Sequence, residues 1–311
     1  MKHVNVKGMD MSVFTLGTVQ LGMDYGLGEH TQKPPKEAAF ALLDRAAACG
    51  VNALDTANNY GDSERTIGEW LRMKRPEDRP YVITKIGPFD QNTKECLRDD
   101  IFRQAEKSLQ TLNADTLDML MVHAFEDYAQ NPDIVASAFA DLKAQGMIKR
   151  SALSAYSRHD YKVLSESGFD AVQIPLNVFD WGQIESGGIR LLAEANMAVF
   201  VRSVFLQGLV FLKPEEVDPR MDFCVLYLRK YLALCEEFGL SPATLALSFA
   251  LSVPGVTSVV LGCQTIEQLE NNCELIDQTV TLTEAQMKRI HAAFRGIDPR
   301  VINPGCWFNH T

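Results

Sequence analysis

No stretch of this chain approaches the ~18 unbroken apolar residues that a membrane-spanning helix needs. The N-terminus, MKHVNVKGMDMSVF, lacks the apolar stretch of a secretory signal. Positive charge is in short supply: 30 Lys and Arg face 40 Asp and Glu, a formal net charge of −10. A nucleic-acid partner calls for a basic stripe, and none is present. The seven cysteines (Cys49, Cys96, Cys224, Cys235, Cys263, Cys273 and Cys306) are odd in number and form no C-x-x-C pair. Each reads as a small buried hydrophobe in a soluble, reduced, cytoplasmic protein without membrane contact. No G-x-G-x-x-G, Walker A or H-E-x-x-H motif occurs, so the usual Rossmann, NTPase and zincin readings lack support and no metal site is assigned. No linker, low-complexity tract or domain-sized repeat divides the chain. Oligomeric state is not legible.

What is present is ordinary globular material: 311 residues, 46% hydrophobic and 23% charged. Short β-rich runs alternate with longer amphipathic stretches. Strands are expected near 14–18, 51–55, 81–85, 117–123, 150–154, 171–175, 198–203 and 258–261. Helices are expected over 36–49, 63–73, 93–112, 131–145, 190–196, 221–238, 241–251, 265–275 and 283–294. The helix from Lys36 has apolar residues at helical spacing and stops at Gly50, while Ser241-Pro242 supplies an N-cap with proline at the first helical position. Strand–helix alternation implies parallel pairing and right-handed crossovers. The pattern fits an α/β chain forming one (β/α)8 TIM barrel over residues 1–311. Residues 205–220 and a tail from about 296 are expected to be irregular. Pro299 and Pro304 keep the tail from forming a helix, and its Trp307 and Phe308 suggest packing on the barrel.

Three of the strands end in reactive groups. Asp55, Lys85 and His123 each close an apolar run, and Tyr60 follows Asp55 among the turn formers Asn58, Asn59 and Gly61. Parallel α/β folds assemble active sites at C-terminal strand ends. Each residue alone has a plainer reading: Asp55 and Lys85 as a rim salt bridge, Tyr60 as a turn residue, His123 as a satisfied imidazole. Together they suit proton transfer. A phenol, with an unperturbed pKa near ~10, is a weak acid at neutral pH, but an adjacent ammonium favours its phenolate. Asp55 would hold Lys85 in place and charged, and His123 would orient a carbonyl oxygen. Such a set polarises a carbonyl and delivers a proton to the forming alkoxide. It lacks a hydride donor, which a cofactor must bring.

These residues resemble the aldo-keto reductases. The match is D-T-A-x-x-Y-G at residues 55–61, Lys85 within Thr84-Lys85-Ile86, and His123 within Met121-Val122-His123. It continues in Leu16-Gly17-Thr18-Val19-Gln20-Leu21-Gly22, in VRSVFLQGL at 201–209, and in Val260-Leu261-Gly262-Cys263-Gln264 with Gln268 and Asn272. The resemblance implies that Tyr60 is the general acid, that Lys85 and Asp55 tune it, and that His123 orients the carbonyl. It also implies NADP(H) lying extended at the barrel mouth. Gly17, Thr18 and Asp55 would lie beneath the nicotinamide, with Ser154 and Gln173 on its carboxamide. Arg202 stands where an aromatic often stacks on the ring. Ser203 and Gly208 would cover the pyrophosphate, and Gly262, Gln264, Gln268 and Asn272 would meet the adenosine.

Some positions depart from that pattern. Ser154 is followed by Ala155 rather than Asn, which removes a carboxamide contact. Residues 262–268 offer no Lys or Arg to a 2′-phosphate and include Glu267, and Asn271 stands where an acidic residue usually meets adenine. A dianionic phosphate wants Arg or Lys, although the helix N-terminus after Gly262 offers N–H groups. NAD(H) is therefore the alternative cofactor.

The reading that results is an NAD(P)(H)-dependent oxidoreductase acting on a small-molecule aldehyde, ketone or alcohol, sugar-like compounds included. Two alternatives stand beside it: a Schiff-base aldolase with Lys85 as nucleophile, and a cofactor-binding regulatory barrel without turnover. Substrate contacts are expected from loops 124–130 and 205–220 and from the tail, with Glu126, Asp127, Trp181, Trp307 and Phe308 as candidates.

Overall fold

A hairpin precedes the barrel in the computed structural model, which describes residues 1–25 and 32–308. Its strands, β1 (His3–Val6) and β2 (Met9–Ser12), pair antiparallel across Lys7-Gly8, where φ is 52° and 84°. Eight strands follow: β3 (Phe14–Gly17), β4 (Ala53–Asp55), β5 (Tyr81–Ile86), β6 (Met119–Val122), β7 (Ser151–Ser154), β8 (Ala171–Pro175), β9 (Ala198–Arg202) and β10 (Val256–Gly262). They pair in parallel in chain order, and β10 returns to β3 to close the barrel. The single-domain (β/α)8 architecture expected from the alternation is the one observed.

Side chains alternate across each strand with period two. Leu120, Val122, Leu153, Val172 and Ile174 face outward into the helix layer. Ala53, Ile83, Met119, Met121, Ala152, Ala171 and Phe200 face inward and form an apolar plug with Val6, Met9 and Met11 of the hairpin. Two residues further along each strand, the same inward face reaches the C-terminal mouth. There Asp55 follows Ala53, Lys85 follows Ile83, Ser154 follows Ala152, Gln173 follows Ala171 and Arg202 follows Phe200. The period that buries the plug also aims the polar residues at one place.

The hairpin was not expected, because Lys-Gly is a weaker turn signal than Asn-Gly or Asp-Gly. Short helices at Val19–Gly22, Phe125–Ala129, Tyr161–Ser165 and Gly182–Glu185 were also not expected; four or five residues are too few for a 3.6-residue period to register. The stretch expected as helix 221–238 divides into a 3₁₀ segment, Pro219–Cys224, and an α-helix, Val225–Phe238. Helix 190–196 shifts to Gly188–Glu194. Residues 205–220, expected as irregular, hold 3₁₀ turns at Leu206–Phe211 and Pro214–Glu216. In the tail, Trp307 is buried and its Nε1 donates to the carbonyls of Arg300 and Val301 at 3.0 and 3.3 Å. Residues 309–311 of that tail lie outside the described residues.

Candidate active site

A cavity of about 840 Å³ opens at the C-terminal strand ends, and Asp55, Tyr60, Lys85 and His123 all line it. The Lys85 Nζ donates to Asp55 Oδ2 at 2.6 Å and to the Thr56 carbonyl at 3.0 Å. The other Asp55 oxygen, Oδ1, accepts from Gln173 Nε2 at 2.8 Å. Both carboxylate oxygens are thus engaged, and the lysine side chain is only 1% exposed. Burial by itself drives the Lys85 pKa down; the Asp55 carboxylate, with Tyr60 beside it, outweighs burial and holds the pKa above its usual value. The site therefore keeps a buried ammonium at neutral pH.

The Tyr60 ring lies close to both this ammonium and the imidazole. Lys85 Nζ is 5.0 Å from its centroid. The His123 ring stands edge-on to it, with centroids 5.6 Å apart and planes at 81°. His123 is pushed down to about 4, first by burial, then by the Lys85 charge, with Arg202 adding to it. It is neutral above that pH, so it keeps one N–H to donate. Its Nδ1 is buried with no hydrogen-bond partner among the described residues.

The other sequence-assigned positions line the same cavity: Gly17, Thr18, Ser154, Gln173, Arg202, Ser203, Gly208, Gly262, Gln264, Gln268 and Asn272. Their roles in the fold differ. The Thr18 hydroxyl is committed to structure, donating to the Asp55 carbonyl at 2.8 Å. Gln268 braces the turn before its helix by accepting from the Gln264 backbone N–H at 2.8 Å, and Gln264 Nε2 donates to the Gln32 carbonyl at 3.1 Å. Along the 203–208 loop, Ser203, Leu206 and Gln207 hold positive φ of 61°, 44° and 52°. Three non-glycine residues in that region is strain, which concentrates at functional sites.

These features fit an extended dinucleotide. Gly262, where a Cβ would lie 2.5 Å from Gln20 Oε1, leaves backbone bare at one wall. That Gln20 oxygen is itself buried and unpartnered among the described residues. The charge inventory is less suited to a 2′-phosphate: residues 262–272 carry no Lys or Arg, and the cations among the lining residues are Lys85, held by Asp55, and Arg202, set against the Tyr156 ring. Lys33, next to the Gln32 that holds Gln264, is paired with Asp62 at 2.5 Å. Arg45 is paired with Glu270 at 2.7 Å.

The expected substrate loops reach the cavity, 124–130 at Ala124 and 205–220 at Phe205, Gln207 and Phe211 among others, but the side chains expected as contacts do not. None of Glu126, Asp127, Trp181, Trp307 and Phe308 lines the cavity. Glu126 pairs with Arg158 at 2.7 Å, and Trp181 packs on Phe249 and His291. In their place stand Tyr25, Tyr156 and Phe211, which line the mouth and remain 47%, 43% and 52% exposed. Phe211 belongs to the expected 205–220 loop, whereas nothing in the sequence spacing marks Tyr25 and Tyr156. Burial pushes Cys224, Cys263 and Cys273 up to about 12 and Cys235 up to about 11, so these thiols are poor nucleophiles. Among the described residues, no cluster of His, Cys, Asp and Glu could hold a metal ion and no helix is long and apolar enough to cross a membrane.

The sequence profile of the Aldo/keto reductase family matches residues 14–295. The chain belongs to the aldo/keto reductase family. This aldo/keto reductase is 28% identical to the uncharacterized oxidoreductase YqkF of Bacillus subtilis, over 89% of this chain and 94% of the relative. It is 25% identical to D-arabinose 1-dehydrogenase of Saccharomyces cerevisiae, over 88% of each. An aldo-keto reductase structure from Bacillus halodurans, in its holo form, superposes with a TM-score of 0.75 at 22% identity, over 94% of this chain and 96% of its own. At that identity the likeness speaks for the fold.

Proposed function

We propose that this aldo/keto reductase is an NAD(P)(H)-dependent oxidoreductase that reduces an aldehyde or ketone, or runs the reverse, with Tyr60 as general acid and base. The observation that carries the proposal is the seating of Tyr60 against both the neutral His123 ring and a lysine ammonium fixed 2.6 Å from Asp55. When bound, the reduced nicotinamide supplies a hydride to the carbonyl carbon. The protein's own groups handle the oxygen. His123 donates a hydrogen bond that orients and polarises the carbonyl. Tyr60 delivers its proton as negative charge grows on that oxygen, and the nearby Lys85 charge stabilises the phenolate left behind. Asp55 holds Lys85 protonated and still.

For the cofactor, Ser154 and Gln173 would meet the carboxamide, the strained 203–208 loop the pyrophosphate, and residues 262–272 the adenosine. The absence, among the described residues, of an unpaired cation at the last of these supports NAD(H) use beside NADP(H). The printed activity of the yeast relative, D-arabinose 1-dehydrogenase, supports a hydroxylated, sugar-like substrate. The buried, carboxylate-paired Lys85 counts against a Schiff-base reading, which needs a free amine.

The test is turnover of a panel of aldehydes, ketones and sugars, followed by loss of reduced nicotinamide absorbance, with Tyr60→Phe as the control. The variant should fold, bind cofactor and lose a factor on the order of 10²–10⁴ in kcat. Near-wild-type turnover by Tyr60→Phe removes the role of Tyr60. Cofactor binding with no turnover of any compound by the wild type favours a regulatory barrel instead.

A further inference from the structure

Arg202 has no task in the acid–base set. It closes β9 on the inward face and lines the cavity, and among the described residues no carboxylate pairs with it. Its guanidinium rests 4.6 Å from the centre of the Tyr156 ring. Arg158 lies at the same distance from that ring but is committed to Glu126 at 2.7 Å. Lys85, the other cation among the lining residues, is committed to Asp55. Arg202 is therefore the cavity's one uncommitted cation among the described residues, in a chain of formal net charge −10.

Its location within the cavity narrows its use. Burial is the larger influence on both His123 and Tyr25, and the Arg202 charge also acts on each, favouring neutral imidazole and ionised phenol. Arg202 closes β9, whose neighbour β10 continues to Gly262, and its charge reaches His123 at the reacting end of the cavity. A planar fork held against an aromatic ring is organised to take two oxygens of one anion.

We propose that the carbonyl substrate carries an anionic group, carboxylate or phosphate, which Arg202 receives while Tyr156 holds the guanidinium plane. This rests on the oxidoreductase reading above and names the substrate class within it. A sugar acid or sugar phosphate satisfies both.

Matched pairs test it: 4-oxobutanoate against butanal, and glyceraldehyde 3-phosphate against glyceraldehyde, each with NADH and with NADPH. In the wild type, kcat/KM should favour the charged member of at least one pair on the order of tenfold or more. Arg202→Gln should collapse that ratio, and Tyr156→Leu should reduce it. Preference in the first pair identifies a carboxylate; preference in the second identifies a phosphate. Turnover without charge preference overturns the anion proposal alone. So does an Arg202→Gln loss shared equally by both members and matched by a raised cofactor Kd in fluorescence titration, which returns Arg202 to the nicotinamide. Absence of any carbonyl turnover by the wild type removes the oxidoreductase reading, and this proposal with it.

Discussion

Gly22 has no room for a side chain against Tyr60: a Cβ there would lie 1.7 Å from the Tyr60 carbonyl oxygen. Gly22 ends the short helix Val19–Gly22, and its own carbonyl accepts from the Asp62 N–H at 3.0 Å. From the other side, a Cβ on Gly61, whose φ is 53°, would lie 2.4 Å from the Gly22 oxygen. Bare backbone meets bare backbone, and that contact sets the height of the Tyr60 loop over the cavity.

Gly22→Ala should therefore misplace the phenol without touching it. A displacement of about 1 Å costs on the order of 10²-fold in kcat. Steady-state kinetics beside a thermal melt checks this; a folded variant with wild-type kcat would show that loop placement does not govern the reaction.

The Asp55–Lys85 pair makes a stability prediction. Lys85→Met leaves a buried carboxylate with Gln173 as its remaining side-chain partner, which should cost about 3–5 kcal/mol in urea unfolding. The double variant Asp55→Asn, Lys85→Met should recover much of that loss. Equal loss in single and double variants would show that packing, not the unpaired charge, carries the cost.

His123 gives a pH dependence whose sign is fixed. Its folded pKa is about 4, below the ~6.5 of an unfolded chain. Between those values the unfolded chain binds a proton that the folded chain does not. Stability from this group is complete above ~6.5 and falls as pH drops toward 4, by up to about 3 kcal/mol. Chemical denaturation of wild type and His123→Asn at both ends of the window measures it. The variant should show the shallower decline, and parallel declines would rule His123 out as the source.

Cofactor choice follows from the charge inventory at residues 262–272. NADPH should bind no more than about tenfold tighter than NADH in titration calorimetry, because the 2′-phosphate meets no unpaired cation among the described residues. A preference of about a hundredfold, near 2.7 kcal/mol, would mean that Lys33 or Arg45 leaves its carboxylate to serve the phosphate.

Much of this protein was legible in its sequence, for one reason. Alternation of short apolar runs with helical stretches forces parallel strands, and parallel strands put their C-terminal ends together. Asp55, Lys85 and His123 could be read as neighbours although 30 and 38 positions separate them along the chain, since each ends such a run. What the sequence could not decide is which groups remain available once neighbours are chosen. The Lys-Gly hairpin that plugs the barrel, the commitment of Glu126 to Arg158, and the burial of Trp307 against its own tail all depend on contacts between segments with no shared spacing. So does the uncommitted Arg202 on Tyr156. Period and strand order are local properties of the chain, and they determined the architecture and the meeting of Asp55, Lys85 and His123 at one mouth. Pairing of charges is a property of three-dimensional proximity, and only the tertiary structure decided which charges were left for a ligand.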